Sequence, residues 1–193
     1  MSELVLESPL AGIARLGQRV LGLDGQSCTL SESPFIGMLN VRGDAADARF
    51  SQAVLAATGL ELPVQPNTAS LGGGRQLLWL GPDEWLLKLP RAESAAVESA
   101  LRAGMAGLHC SLVQVGDGNT TLTLQGPASV DLLSCGCPLD LHPRFFGTGA
   151  LAQTHVAKAG AIVLCLQAGS SFELTVRRSF ADYLFRWLCE AGA

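Results

Sequence analysis

Lysine is nearly absent from this 193-residue chain, where Lys88 and Lys158 are the only two among 13 basic residues. Acids number 17, giving a net charge of −4, and no basic run or basic-aromatic interleaving occurs. That pattern argues against a nucleic-acid surface. Charged residues are scarce at 16%, against 48% hydrophobic, so the chain has the apolar material to fold. The same scarcity suggests that part of the surface is covered by a partner. No apolar stretch reaches the roughly 18 residues of a membrane-spanning helix. The opening MSELVLESPL has acids where a secretory leader needs bases, and its apolar run is short. A cytoplasmic location is the expectation.

Metal-ligand spacing is missing as well. Cys135 and Cys137 form CGC, one residue short of the usual structural-zinc pair, and no second pair follows. Cys28, Cys110, Cys165 and Cys189 are isolated, and read as small hydrophobes in a reducing compartment. His109, His142 and His155 fall in three different segments without HxH or HxxxH spacing. The glycine-rich LGGGR at 71–75 lacks the phosphate-loop frame and reads as a flexible loop. No serine or cysteine has a recognisable activating base nearby. Arg177 and Arg178 could meet an anion or a partner carboxylate, with a solvated strand end as the plainer reading. From the residues alone, no catalytic, cofactor-binding or metal site is assigned.

What is present is an alternation of strands and helices. FIGMLNVRG (35–43) reads as a strand, and DAADARFSQAVLAATG (44–59) as a helix. Asp44 is its expected cap, Asp47 sits near the positive end, and Gly59 stops it. Phe50, Val54 and Leu55 are the expected buried face. Residues 64–74 read as a loop. RQLLWLGPDEWLLKLP (75–90) reads as a hairpin turning at Gly81-Pro82-Asp83-Glu84, with Trp79 and Trp85 anchoring a core. Two adjacent acids in an apolar frame could be acid/base machinery; here Asp83 and Glu84 read as a solvated hairpin tip. A helix at 92–104 follows.

The second half repeats the plan. HCSLVQVGDGNTTLTLQG (109–126) reads strand, turn, strand, and PASVDLLSCG (127–136) a short helix with Pro127 in its first position. LAQTHVA, AIVLCLQ and FELTVRR are strands, and SFADYLFRWLCEAG (179–192) is a closing helix. Ser179 and Asp182 suggest a capping box for it, and Phe180, Leu184, Trp187 and Leu188 an apolar face. NVRGDAADARF and TLQGPASVDLL both run strand, glycine, helix, and each precedes strands and a helix. The expectation is an α+β fold, a duplicated β-α-β-β-α unit with antiparallel sheets covered by helices. Residues 1–107 and 108–193 would be the two repeats of one compact body.

Several stretches together resemble the gamma subunit of heterotetrameric sarcosine oxidase. They are SPLAG (8–12), PFIGMLNVRGDAADARF (34–50), LPVQPNT (62–68), LWLGPDEWLL (78–87), CPLDLHPRFF (137–146), AQT (152–154) and FELTVRRSFADYLFRWL (172–188). LQGP (124–127) is similar, more distantly, to the folate-binding aminomethyltransferases. Those enzymes carry a catalytic Asp on the strand before the hairpin; here TASLGGGRQLLWL (68–80) holds no acid. The resemblance implies a structural subunit of a flavoenzyme that demethylates sarcosine to glycine and passes the one-carbon unit to tetrahydrofolate. It implies alpha, beta and delta partners that carry FAD, FMN, NAD and the folate site, with no cofactor in this chain. The alternatives are a free-standing folate-binding one-carbon transfer protein and a stand-alone interaction protein.

Overall fold

A computed structural model describes residues 6–12 and 18–193. Half of the stretch bearing on a leader, residues 1–5, lies outside them.

Among the described residues, eleven strands form two antiparallel sheets. The strands are β1 (Arg19–Leu23), β2 (Gln26–Ser33), β3 (Gly37–Arg42), β4 (Ala69–Gly72), β5 (Arg75–Gly81) and β6 (Glu84–Leu89) in the first part of the chain. β7 (Ser111–Gln114), β8 (Asn119–Gln125), β9 (Leu151–Val156), β10 (Ala159–Gln167) and β11 (Ser171–Arg177) follow. The helices α1 (Ala48–Thr58), α2 (Arg91–Gly104), α3 (Ser129–Ser134) and α4 (Ala181–Ala191) connect or close them.

One sheet runs β4-β5-β6-β3-β7 and the other β1-β2-β8-β11-β10-β9. Within them β3-α1-β4-β5-β6-α2 and β8-α3-β9-β10-β11-α4 have the same strand order, so the duplication is present with one more strand per copy than expected. The two copies also meet symmetrically. Asn67 and Gly149, both with positive φ, stand just before β4 and β9. Leu151 N–H donates to the Asn67 carbonyl at 2.9 Å, and Ala69 N–H to the Gly149 carbonyl at 2.8 Å.

The sheets do not divide at residues 107/108. β2, from the first half, pairs with β8 of the second, while β7 pairs with β3 of the first. Each repeat therefore lends its leading strand to the other. The strand, turn and strand expected at 109–126 are present as β7, a 3₁₀ turn at 116–118 and β8, and that turn carries the chain from one sheet to the other.

Strand alternation gives each sheet two apolar faces. Leu39, Val41, Leu77, Trp85, Leu87 and Leu89 pack with Phe50, Val54, Val97 and Leu101 of α1 and α2. Leu122, Leu124, Val163, Phe172 and Leu174 pack with Leu132, Leu184 and Leu188 of α3 and α4. Met38, Leu78 and Leu86 meet Leu151 and Leu164 between the sheets. The layers thus run helices, sheet, sheet, helices.

Local chemistry shifts several boundaries. Asp47, not Asp44, caps α1 by accepting from Arg49 N–H at 2.9 Å; Asp44 holds the turn before it through Ala46 N–H. Phe50 and Val54 are buried, whereas Leu55 is 45% exposed, because 100° per residue carries it off the face. LGGGR is no loose loop. Gly73 and Gly74, φ 58° and 74°, make the two-residue turn joining β4 to β5. Pro127 precedes α3 rather than opening it. Residues 178–180 form a 3₁₀ turn, so Ser179 makes no cap for α4 and Phe180 is exposed; Phe185 is buried beside Leu184 and Leu188 instead.

Candidate functional site

A cleft with a volume of about 690 Å³ lies between the sheets. Strand alternation explains its position. Residues of β3 and β6 that point away from α1 and α2 face those of β9, β10 and β11 that point away from α3 and α4. Asn40, Glu84 and Leu86 line one wall; His155, Ile162, Thr175 and Arg177 line the other. Such a cleft is large enough for a small molecule or a chain segment.

The two acids of the hairpin part company here. Asp83 is exposed and pairs with Arg42 at 2.9 Å, a surface contact of little energetic weight. Glu84 does not point freely to water, as a hairpin-tip reading expects. It is half-buried at the cleft wall and accepts from Asn40 Nδ2 at 2.7 Å. Adjacent strand residues face opposite ways, but the turn at Pro82 leaves Asp83 outside the sheet, so no shared-proton pair of carboxylates forms. Trp79 and Trp85 are directly cross-strand. Trp85 is fully buried, its indole N–H donating to the Pro63 carbonyl at 2.8 Å and its ring 5.6 Å from that of Phe50.

Also between the sheets, Lys88 Nζ lies 2.5 Å from Glu173 Oε2, and Gln76 Nε2 donates to Glu173 Oε1 at 3.0 Å. Burial pushes the Lys88 pKa below its ordinary value, while the Glu173 charge and hydrogen bond act the other way. A buried ammonium needs such a partner, since desolvating an unpaired charge is far costlier. In the sequence Lys88 stands out only as one of two lysines, and Glu173 does not stand out at all. The one available signal was a lysine at an inward position of an apolar strand.

The remaining sequence candidates stay apart. His109 is at the end of the α2–β7 connection, His142 in the loop before β9, and only His155 reaches the cleft. Cys135 is exposed and Cys137 buried, so CGC does not present two thiols to one point. Burial raises the pKa of Cys28, Cys137 and Cys165, the opposite of an activated thiolate. Arg177 lines the cleft; Arg178 turns away and donates to the Glu7 carbonyl at 2.6 Å. Among the described residues, no three His, Cys, Asp or Glu side chains gather to hold a metal. Nor is any described helix long and apolar enough to cross a membrane.

Residues 42–193 match the model of the sarcosine oxidase, gamma subunit family. The chain belongs to that family. Sarcosine oxidase subunit gamma of Corynebacterium sp. (strain U-96) is 30% identical over 185 residues, which is 95% of this chain and 88% of that one. The same subunit from Arthrobacter sp. is 33% identical over 157 residues, 81% of this chain and 74% of that one. In structure, a chain of the heterotetrameric sarcosine oxidase from Corynebacterium sp. U-96, in complex with pyrrole 2-carboxylate, superposes with a TM-score of 0.87 at 28% identity. The match covers 96% of this chain and 94% of that one. The glycine cleavage system aminomethyltransferase T from Bartonella henselae shares the fold, with a TM-score of 0.66 at 16% identity over 95% of this chain and 57% of that one. Gamma-family membership and the aminomethyltransferase-like α+β fold both agree with the resemblance read from the sequence.

Proposed function

We propose that this chain is the gamma subunit of a heterotetrameric sarcosine oxidase and that its work is structural. The observation that carries the reading is the near end-to-end match, in sequence and in shape, to a chain of such a heterotetramer. The partners are then alpha, beta and delta subunits. The assembly oxidatively demethylates sarcosine to glycine, and tetrahydrofolate takes the one-carbon unit.

In this reading FAD, FMN, NAD and the folate belong to the partner subunits. Three features support that division. The glycine-rich stretch at 71–75 closes a β-hairpin instead of opening a helix, so it does not offer a phosphate the amide N–H groups of a helix end. The strand that precedes the Trp79–Trp85 hairpin offers no carboxylate for folate-dependent transfer. Glu84 at the cleft is already held by Asn40. The expected location is the cytoplasm.

The test is co-expression of the alpha, beta and delta subunits with and without this chain. Loss of flavin content or of assembly without it is the expected result; a stable, fully flavinated enzyme formed equally well in its absence overturns the reading. Heat from tetrahydrofolate titrated into the chain alone would support the free-standing one-carbon transfer protein instead.

A further inference from the structure

Among its exposed large hydrophobic side chains the molecule has three phenylalanines, and Phe145, at 66%, is the most exposed of them. It sits in the loop between α3 and β9, within the CPLDLHPRFF stretch. An exposed ring on a mobile loop would mean little. This loop is held firmly. His142 N–H donates to Asp140 Oδ1 at 3.0 Å, and Arg144 N–H to His142 Nδ1 at 3.2 Å. The N–H groups of Phe145 and Phe146 both donate to the His142 carbonyl at 2.9 Å. Below this turn Leu141 and Phe146 are buried, and the Phe146 ring stacks 6.4 Å from that of Phe172 on β11. Pro143 lies against Gly169 of the β10–β11 turn, where a Cβ would come within 3.0 Å of its ring.

The backbone therefore drives Phe146 into the core and its neighbour outward. Arg144 then lies over the Phe145 ring, 4.6 Å from its centroid, which restrains both side chains. Its one carboxylate contact among the described residues is long, 3.8 Å to Asp140, leaving guanidinium N–H groups unused. An aromatic ring and an arginine, both pre-positioned, are the residue types that dominate binding energy at protein interfaces. Holding them rigid before contact lowers the entropy lost on association.

We infer that Phe145, backed by Arg144, is the anchor by which this chain docks on a partner subunit, the ring entering an apolar pocket that carries a carboxylate on its rim. The inference rests on the assembly role proposed above. The carboxylate completes the guanidinium's hydrogen bonding, and the pocket removes from water a ring that the lone chain leaves exposed.

The experiment co-expresses the full chain with tagged sarcosine oxidase alpha, beta and delta subunits and measures its retention in the purified assembly and its rate of loss. Phe145→Ala and the charge reversal Arg144→Glu are each expected to speed dissociation roughly ten-fold or more. Val64→Ala, which trims an exposed apolar residue elsewhere, is expected to match wild type. The melting temperature of the isolated chain should not change with Phe145→Ala, separating docking from folding. Wild-type retention of both loop variants overturns the anchor and leaves the assembly role intact. Self-association of the chain that Phe145→Ala abolishes, with partner retention unaffected, makes a second copy the occupant and also overturns it. Failure of the wild-type chain to bind the assembly removes both readings together.

Discussion

Lys88 and Glu173 join the two repeats by a buried ion pair: the lysine side chain is 2% exposed and the glutamate 11%, and Nζ lies 2.5 Å from the carboxylate of a strand on the opposite sheet. The residues are 85 positions apart in sequence and come from different copies of the duplicated unit. A purely apolar contact between two sheets tolerates sliding, whereas one buried charge pair has a single satisfactory register. The pair's role is thus better described as fixing how the sheets align than as adding stability.

Removing one partner should be far worse than removing both. Glu173→Gln strands a buried ammonium and is expected to cost about 3–5 kcal/mol, while Lys88→Met with Glu173→Leu should come within about 1 kcal/mol of wild type or exceed it. Urea unfolding of the three proteins checks this. Equal losses for the single and double variants would mean that the pair contributes net stability.

A second expectation concerns the start of α1. A Cβ on Gly43 would lie 2.3 Å from the Phe50 ring, itself buried against Trp85. Gly43→Ala must displace that ring and is expected to destabilise by about 1–3 kcal/mol. Gly43→Ala combined with Phe50→Leu should lose less than the sum of the two single changes, because the smaller side chain vacates the space. Thermal melts of the four proteins give the coupling directly.

Much of this architecture was legible in the chain. The Trp79–Trp85 hairpin, the helices at 48–58 and 91–104, and the three-strand meander from 151 to 177 announce themselves through apolar runs and turn residues. The β1–β2 hairpin did not, since QSCTLSES is mostly polar and buries only Cys28 and Leu30. Its signal was Asp24-Gly25, two adjacent residues with positive φ at the turn. The strand exchange was beyond reach. Nothing local in Ser111–Gln114 or Gln26–Ser33 tells which sheet receives it, because pairing is decided by long-range register. The cleft and the Lys88–Glu173 pair arise where the two sheets pack face to face, another long-range contact that no local stretch announces.

Reciprocal exchange has a consequence for dissection. Fragment 1–107 would lack β7 at its β3 edge, and fragment 108–193 would lack Leu21, Cys28 and Leu30 from its core. Neither is expected to fold alone, but the two mixed should regain native signals, since the missing strands are each in the other fragment. Dispersion in amide NMR spectra of the fragments, separate and mixed, is the measurement; two independently folded fragments would show that the exchange is dispensable.

The buried thiols set an alkaline limit on stability. Burial pushes Cys28, Cys137 and Cys165 above the ordinary thiol value of 9.0, with weaker hydrogen bonds to Ser129, Leu139 and Thr154, and Gly169 opposing it. Below that value both folded and unfolded chains keep these protons, and the contribution is fully present. As pH rises through it the unfolded chain ionises first, the folded chain holds the extra protons, and stability falls until the raised folded values are passed. Melting temperature should therefore decline between about pH 8 and pH 10. Cys165→Ala removes one of the three thiols. It should lower the melting temperature at neutral pH through the lost side-chain packing, yet decline less steeply across that window. A slope unchanged from wild type would show that Cys165 titrates alike in both states.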